Sequence, residues 1–165
     1  MEGNRDQRYP VQTVVTQARE EARAAGLPTI EAEHLLLAIA RHSGSPAARI
    51  LTEAGLDHDA IAAALAVEVA LSLEAAGIPA TAFPHVQPGT GARRSRHQPR
   101  LAESTRLAFH RSMQATTGPR TLTELHLLAG VLRAEVGTVP RALAFAGIDR
   151  AALLAHTQEA IAAGD

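Results

Sequence analysis

The sequence has no cysteine, no lysine and no tryptophan, and its aromatic residues are one tyrosine and three phenylalanines in 165. Without cysteine there can be no disulfide framework, no thiolate metal site and no cysteine nucleophile. Without lysine the phosphate loop Gly-x-x-x-x-Gly-Lys-Ser/Thr cannot be written, which excludes nucleotide hydrolysis of that type within these residues. All 16 cationic residues are therefore arginines, and with 17 acidic residues the net charge is -1. Such a balance gives no global field toward nucleic acid or an anionic membrane. No apolar run approaches the roughly 18 residues of a membrane span, and Met1 to Pro10 is polar, so a soluble cytoplasmic protein is expected. Hydrophobic residues still make up 46% of the chain. With alanine supplying much of that share, the interior must be built from closely approaching elements, which points to helix on helix.

What is present is a repeat. Residues 18–61 overlay on 110–153 without a gap, at an offset of 92, with thirteen identities in forty-four positions. Roughly three or four would be expected by chance. The matches include Arg19/Arg111, Gly26/Gly118, His34/His126, Leu35/Leu127, Leu36/Leu128, Arg41/Arg133, Arg49/Arg141, Gly55/Gly147 and Asp57/Asp149.

Each copy divides into four helices by its own punctuation. Val11, Val14, Val15, Ala18 and Ala22 recur at helical spacing up to Gly26, a residue suited to close a helix. Glu31 to Arg41 is apolar on most sides, as expected of a central helix covered by its neighbours. Ser45-Pro46 places a capping hydroxyl before a proline at the first helical position, and Gly55 ends that short helix. Asp57 caps a fourth helix to about Ala76, in which Ile61, Leu65, Val69 and Leu73 form one expected apolar seam. The second copy repeats this pattern: a helix from about Pro99 to Thr117, another capped by Thr123 and running from Glu124 to Ala134, a short one begun by Thr138 and Pro140, and a last one capped by Asp149. The expectation is an all-α, eight-helix, pseudo-twofold bundle made of two tandem four-helix repeats. The first repeat would span 1–76 and the second 99–165. Residues 77–98, with Pro79, Pro84, Pro88, Gly89 and Gly91 and the cluster Arg93, Arg94, Arg96 and His97, read as a linker.

Two sets of residues invite a catalytic reading. His34 and His126 open the second helix of each copy, where an imidazole can bond backbone groups of its own helix start. Neither belongs to a His-Glu-x-x-His pattern, so no metal and no cofactor is expected. Adjacent carboxylates such as Glu20 and Glu21 point about 100° apart on a helix and cannot converge on one proton. The alternative to a binding module is a small metal-independent hydrolase or transferase using His34 or His126 with Glu33 or Glu124.

The string Ala18-Arg-Glu-Glu-Ala-Arg, then Ile30-Glu-Ala-Glu-His-Leu-Leu-Leu-Ala-Ile39, then Ala54-Gly-Leu-Asp57 resembles the N-terminal Clp repeat of ClpC and ClpB. The second copy, with Leu122-Thr-Glu-Leu-His-Leu-Leu-Ala-Gly-Val131 and Ala146-Gly-Ile-Asp149, is similar to it in looser form. The resemblance implies a non-catalytic module, standing here without ATPase modules, that receives protein substrates or adaptors for an unfoldase. Partners would be peptides, proteins, a Clp ATPase or a peptide antibiotic. It also places peptide recognition on the outward faces of the first helices of the two copies. Gln12, Val15, Thr16 and Arg19 there pair by the offset with Ser104, Leu107, Ala108 and Arg111. Glu33 stands where the family has an acidic residue suited to a guanidinium. In the second copy that position is Leu125, with Glu124 beside it. The aromatic residue that ClpC-like members carry near the N-terminus is not evident among Gly3 to Arg8.

Overall fold

A computed structural model describes residues 11–79, 98–116 and 121–164. The first half contributes α1 (Val11–Ala24), β1 (Thr29–Ile30), α2 (Ala32–Arg41), α3 (Pro46–Glu53) and α4 (His58–Ala75). The second contributes β2 (Arg100–Leu101), α5 (Glu103–Gln114), α6 (Glu124–Leu132), α7 (Thr138–Phe145) and α8 (Arg150–Ala163). Every helix of the second half begins 92 residues after its counterpart: Val11 to Glu103, Ala32 to Glu124, Pro46 to Thr138 and His58 to Arg150.

The capping chemistry explains why these starts agree. Asp57 and Asp149 each accept a backbone hydrogen bond from three residues ahead, at 2.8 Å from Ala60 and 3.0 Å from Ala152. Ser45 does the same for Ala48 at 3.1 Å, satisfying a donor that the first turn leaves unpaired. Just ahead of the aspartates, Gly55 and Gly147 take φ of 78° and 71°, a left-handed geometry that a Cβ would oppose.

The core lies along α2 and α6, which touch each other. Leu35, Leu36 and Ile39 from one, and Leu127, Leu128 and Leu132 from the other, are buried. α1 packs on α2, and α5 on α6. At the second of these crossings a Cβ on Gly130 would stand 2.3 Å from the Ala108 carbonyl and 2.1 Å from Ser112 Oγ, so glycine sets the approach of α5 to α6. The outer helices are exchanged: α4 packs on α7 of the other half, and α8 on α3.

Two expectations need correction. The helix expected from Pro99 begins at Glu103, because Arg100 and Leu101 pair in parallel with Thr29 and Ile30. The Arg100 N–H donates to the Pro28 carbonyl and that of Ala102 to Ile30, both at 3.0 Å. The apolar seam of α4 is not Ile61-Leu65-Val69-Leu73. Ile61, Ala64 and Glu68 are the buried positions, and Val69 is 40% exposed, because α7 presents Arg141 to Glu68. The basic cluster Arg93 to His97 lies outside the described residues.

Candidate functional site

The start of α2 is where the two halves are stitched together. Ser104, near the start of α5, accepts from the Ala32 N–H at 3.0 Å and donates to Glu31 Oε2 at 2.5 Å. Thr105 donates to the Ile30 carbonyl at 2.5 Å, and Thr29 to Glu31 Oε1 at 3.0 Å. Glu31 is thereby fixed by groups from both halves, and with it the first turn of α2.

In that turn stand Glu33 and His34. The Glu33 carboxyl is pushed up to about 7, first by burial and further by the nearby charges of Glu31 and Glu68, against the opposing effect of its own backbone hydrogen bond. His34 is a structural group. Its Nδ1 accepts from the Glu31 N–H at 2.9 Å, which leaves the proton of the neutral ring on Nε2. Burial holds its pKa below the usual 6.5, the charges of Glu31 and Glu21 opposing this. The second half repeats the device: the backbone N–H of Thr123 lies 3.3 Å from Nδ1 of His126, and the Thr123 hydroxyl 2.7 Å from it. In both halves the histidine closes the N-terminus of a buried helix.

The residues expected on the outward faces fare unequally. Gln12, Thr16 and Leu107 are exposed, and Val15, Arg19, Glu33 and Arg111 are half-buried. The Thr16 hydroxyl is turned back to the Gln12 carbonyl at 2.9 Å. Arg19 has a buried Nε without a hydrogen-bond partner. Ala108 is not outward: it is 1% exposed, beneath Gly130. Glu124 is 2% exposed, and Ser104 is occupied at the junction just described. α1 and α5 thus flank the α2–α6 pair, each leaning also on the central helix of the other half.

A pocket of about 240 Å³ opens elsewhere, between α3, the start of α6 and the end of α8, with Pro46, Arg49, Leu125, Ala160 and Ile161 in its wall. Its counterpart in the other half holds an ion pair. There Arg141 Nε donates to the buried Glu68 at 2.7 Å, and Ser72 donates to the same carboxylate at 2.6 Å. Ala160 occupies the position of Glu68, and Leu125 that of Glu33. The repeat offset alone carried the signal for this difference: each pair can be read from the sequence as one carboxylate kept and one lost.

With the geometry in place, the comparisons with known proteins become informative. Residues 9–95 match the model of the Clp repeat (R) N-terminal domain. The chain belongs to this Clp N-domain family. Among solved structures it is similar to the N-terminal domain of the caseinolytic protease associated chaperone ClpD from Arabidopsis thaliana, with a TM-score of 0.63 and 14% identity. That likeness covers 98% of this chain and 99% of the other. At such identity it shows the shared all-α fold, which extends over both halves. No curated protein matches the chain. Among the described residues no helix is long and apolar enough to cross a membrane.

Proposed function

We propose that this Clp N-domain is a non-catalytic protein-binding module that takes peptides, protein substrates or adaptors of a Clp protease on the face carrying Gln12, Val15, Thr16, Arg19, Leu107 and Arg111, with Glu33 at the start of α2 as a further contact. The observation that carries this reading is Glu33, a half-buried carboxylate whose ionisation is opposed by burial and by the charges of Glu31 and Glu68. A guanidinium or other cation from a partner arriving there would relieve the repulsion from Glu31 and Glu68 and restore the ionised form. Membership of the Clp N-domain family supports the same assignment. The Arg19 side chain, half-buried on this face, supplies guanidinium donors for a partner carbonyl or carboxylate.

The mechanism is occupancy. In the cytoplasm, a pre-formed helical surface competes for ligand with the equivalent surface of a full unfoldase, so its effect scales with concentration relative to affinity. A peptide antibiotic aimed at that surface would be sequestered in the same way. The commitment of His34 Nδ1 to the Glu31 backbone weighs against the rival hydrolase or transferase, which needs that ring free to move a proton.

Titrating the protein into a ClpC degradation assay tests the proposal. Inhibition that grows with its concentration, and that weakens when Glu33→Gln or Arg19→Ala is used, is expected. Undiminished degradation, with no peptide retained by the immobilised protein, overturns it.

A further inference from the structure

The first half contains a small hub that the second half reproduces without its centre. Glu21 on α1 is buried, and its Oε1 accepts from Arg41 Nε on α2 and lies 3.2 Å from His58 Nε2 on α4. The other ring nitrogen of His58 is 3.3 Å from Asp59 Oδ1. One carboxylate therefore spans positions 41 and 58, and a second carboxylate faces the histidine.

At an offset of 92 the corresponding residues are Met113 for Glu21, Arg133 for Arg41, Arg150 for His58 and Ala151 for Asp59. Both carboxylates are gone, and both spokes are now permanently charged arginines. Met113 is 66% exposed, so the centre is open to solvent. Arg133 donates to the Arg111 carbonyl at 3.2 Å and Arg150 to the Leu132 carbonyl at 2.6 Å. These neutral acceptors take up a few of ten N–H donors and none of the charge. Among the described residues neither guanidinium has a carboxylate within 4.0 Å. Asp149, like Asp57, is engaged in capping its own helix. The positive end of α8 adds to the field at Arg150.

We infer that Arg133 and Arg150 form a receptor for a carboxylate that this chain does not supply, the side chain of a Glu or Asp on an acidic protein segment docking over Met113. The first half shows the group that this geometry accepts, because Glu21 occupies the equivalent place from within. Charge follows the same division. Residues 11–79 carry 9 acidic residues and 4 arginines, whereas 98–164 carry 5 acidic residues and 7 arginines. An acidic segment is steered to the second half. The inference rests on the guanidinium groups of Arg133 and Arg150, neither of them in the proposed α1/α5 face, and meets that face only at the Arg111 carbonyl, so it stands apart from that reading.

An NMR titration with an acetylated, amidated Glu-Leu-Glu tripeptide at low salt tests it. The Nε–Hε signals of Arg133 and Arg150 should shift, and the Gln-Leu-Gln analogue should leave them in place. Arg133→Gln and Arg150→Gln should each weaken binding at least fivefold. Met113→Glu, which supplies the missing carboxylate from within, should abolish the titration and raise Tm, whereas Met113→Gln should do neither. A titration unchanged by Met113→Glu, or no shift in the parent protein, overturns the inference. Complete displacement by an equal concentration of inorganic phosphate overturns the assignment to an acidic segment.

Discussion

Arg141 on α7 holds Glu68 on α4 across 2.7 Å, joining the two halves through a carboxylate whose side chain is 3% exposed and a guanidinium that is 53% exposed. Removing only the arginine leaves a charge inside the protein without its partner. Arg141→Met should lower stability by about 1–3 kcal/mol. Adding Glu68→Met to it should recover most of that loss. Urea melts of the two variants check both statements, and equal loss in both would contradict them.

Glu33 gives a pH dependence of defined sign. Its folded value of about 7 lies above the 4.5 of the unfolded chain, so the native state holds its proton more tightly. Stability contributed by this group is full below about 4.5 and declines as pH rises toward about 7. Glu33→Gln removes the decline. The variant should match the parent protein at pH 4.5 and exceed it by on the order of 1–3 kcal/mol at pH 8, read from thermal melts at the two values.

His34 acts at the other side of neutrality. Its folded pKa lies below 6.5, so the stability it contributes is full above 6.5 and is lost as pH falls below that value. Replacing it with Gln preserves an acceptor for the Glu31 N–H and removes the titration. His34→Gln should show a shallower loss of stability between pH 6.5 and 5 than the parent protein. His34→Ala should cost about 1 kcal/mol at neutral pH through the lost cap bond.

Gly130→Ala should reverse the usual benefit of alanine in a helix, which is about 1 kcal/mol. The new methyl group meets the Ala108 carbonyl at 2.3 Å, and α5 must move away from α6. A loss of about 1–3 kcal/mol is expected by chemical denaturation. A gain in stability would show that the helices separate without cost.

Much of the helical architecture was legible because its signals are local. Asp57, Asp149 and Ser45-Pro46 mark helix starts within four residues, and the offset of 92 transfers each mark to the other half. The parallel pairing of Arg100 and Leu101 with Thr29 and Ile30 was not legible, since two-residue strands carry no periodicity and their register is set by distant chain. The burial of Glu68 was hidden for a related reason. Its partner is 73 residues away on α7, and the sequence of α4 alone favours Val69 for the inner face. Of the candidate site, Glu33 and His34 stood out in sequence. The inward turn of Ala108 did not, because it follows from a glycine on a neighbouring helix.

The exchange of outer helices, α4 onto α7 and α8 onto α3, bears on how the molecule comes apart. Neither half retains a complete shell around its own central helix, so a fragment ending after α4 should expose apolar surface and fail to hold its shape. Unfolding is then expected as one all-or-none event that ignores the seam between the repeats. Two separately expressed fragments would regain structure only by meeting each other.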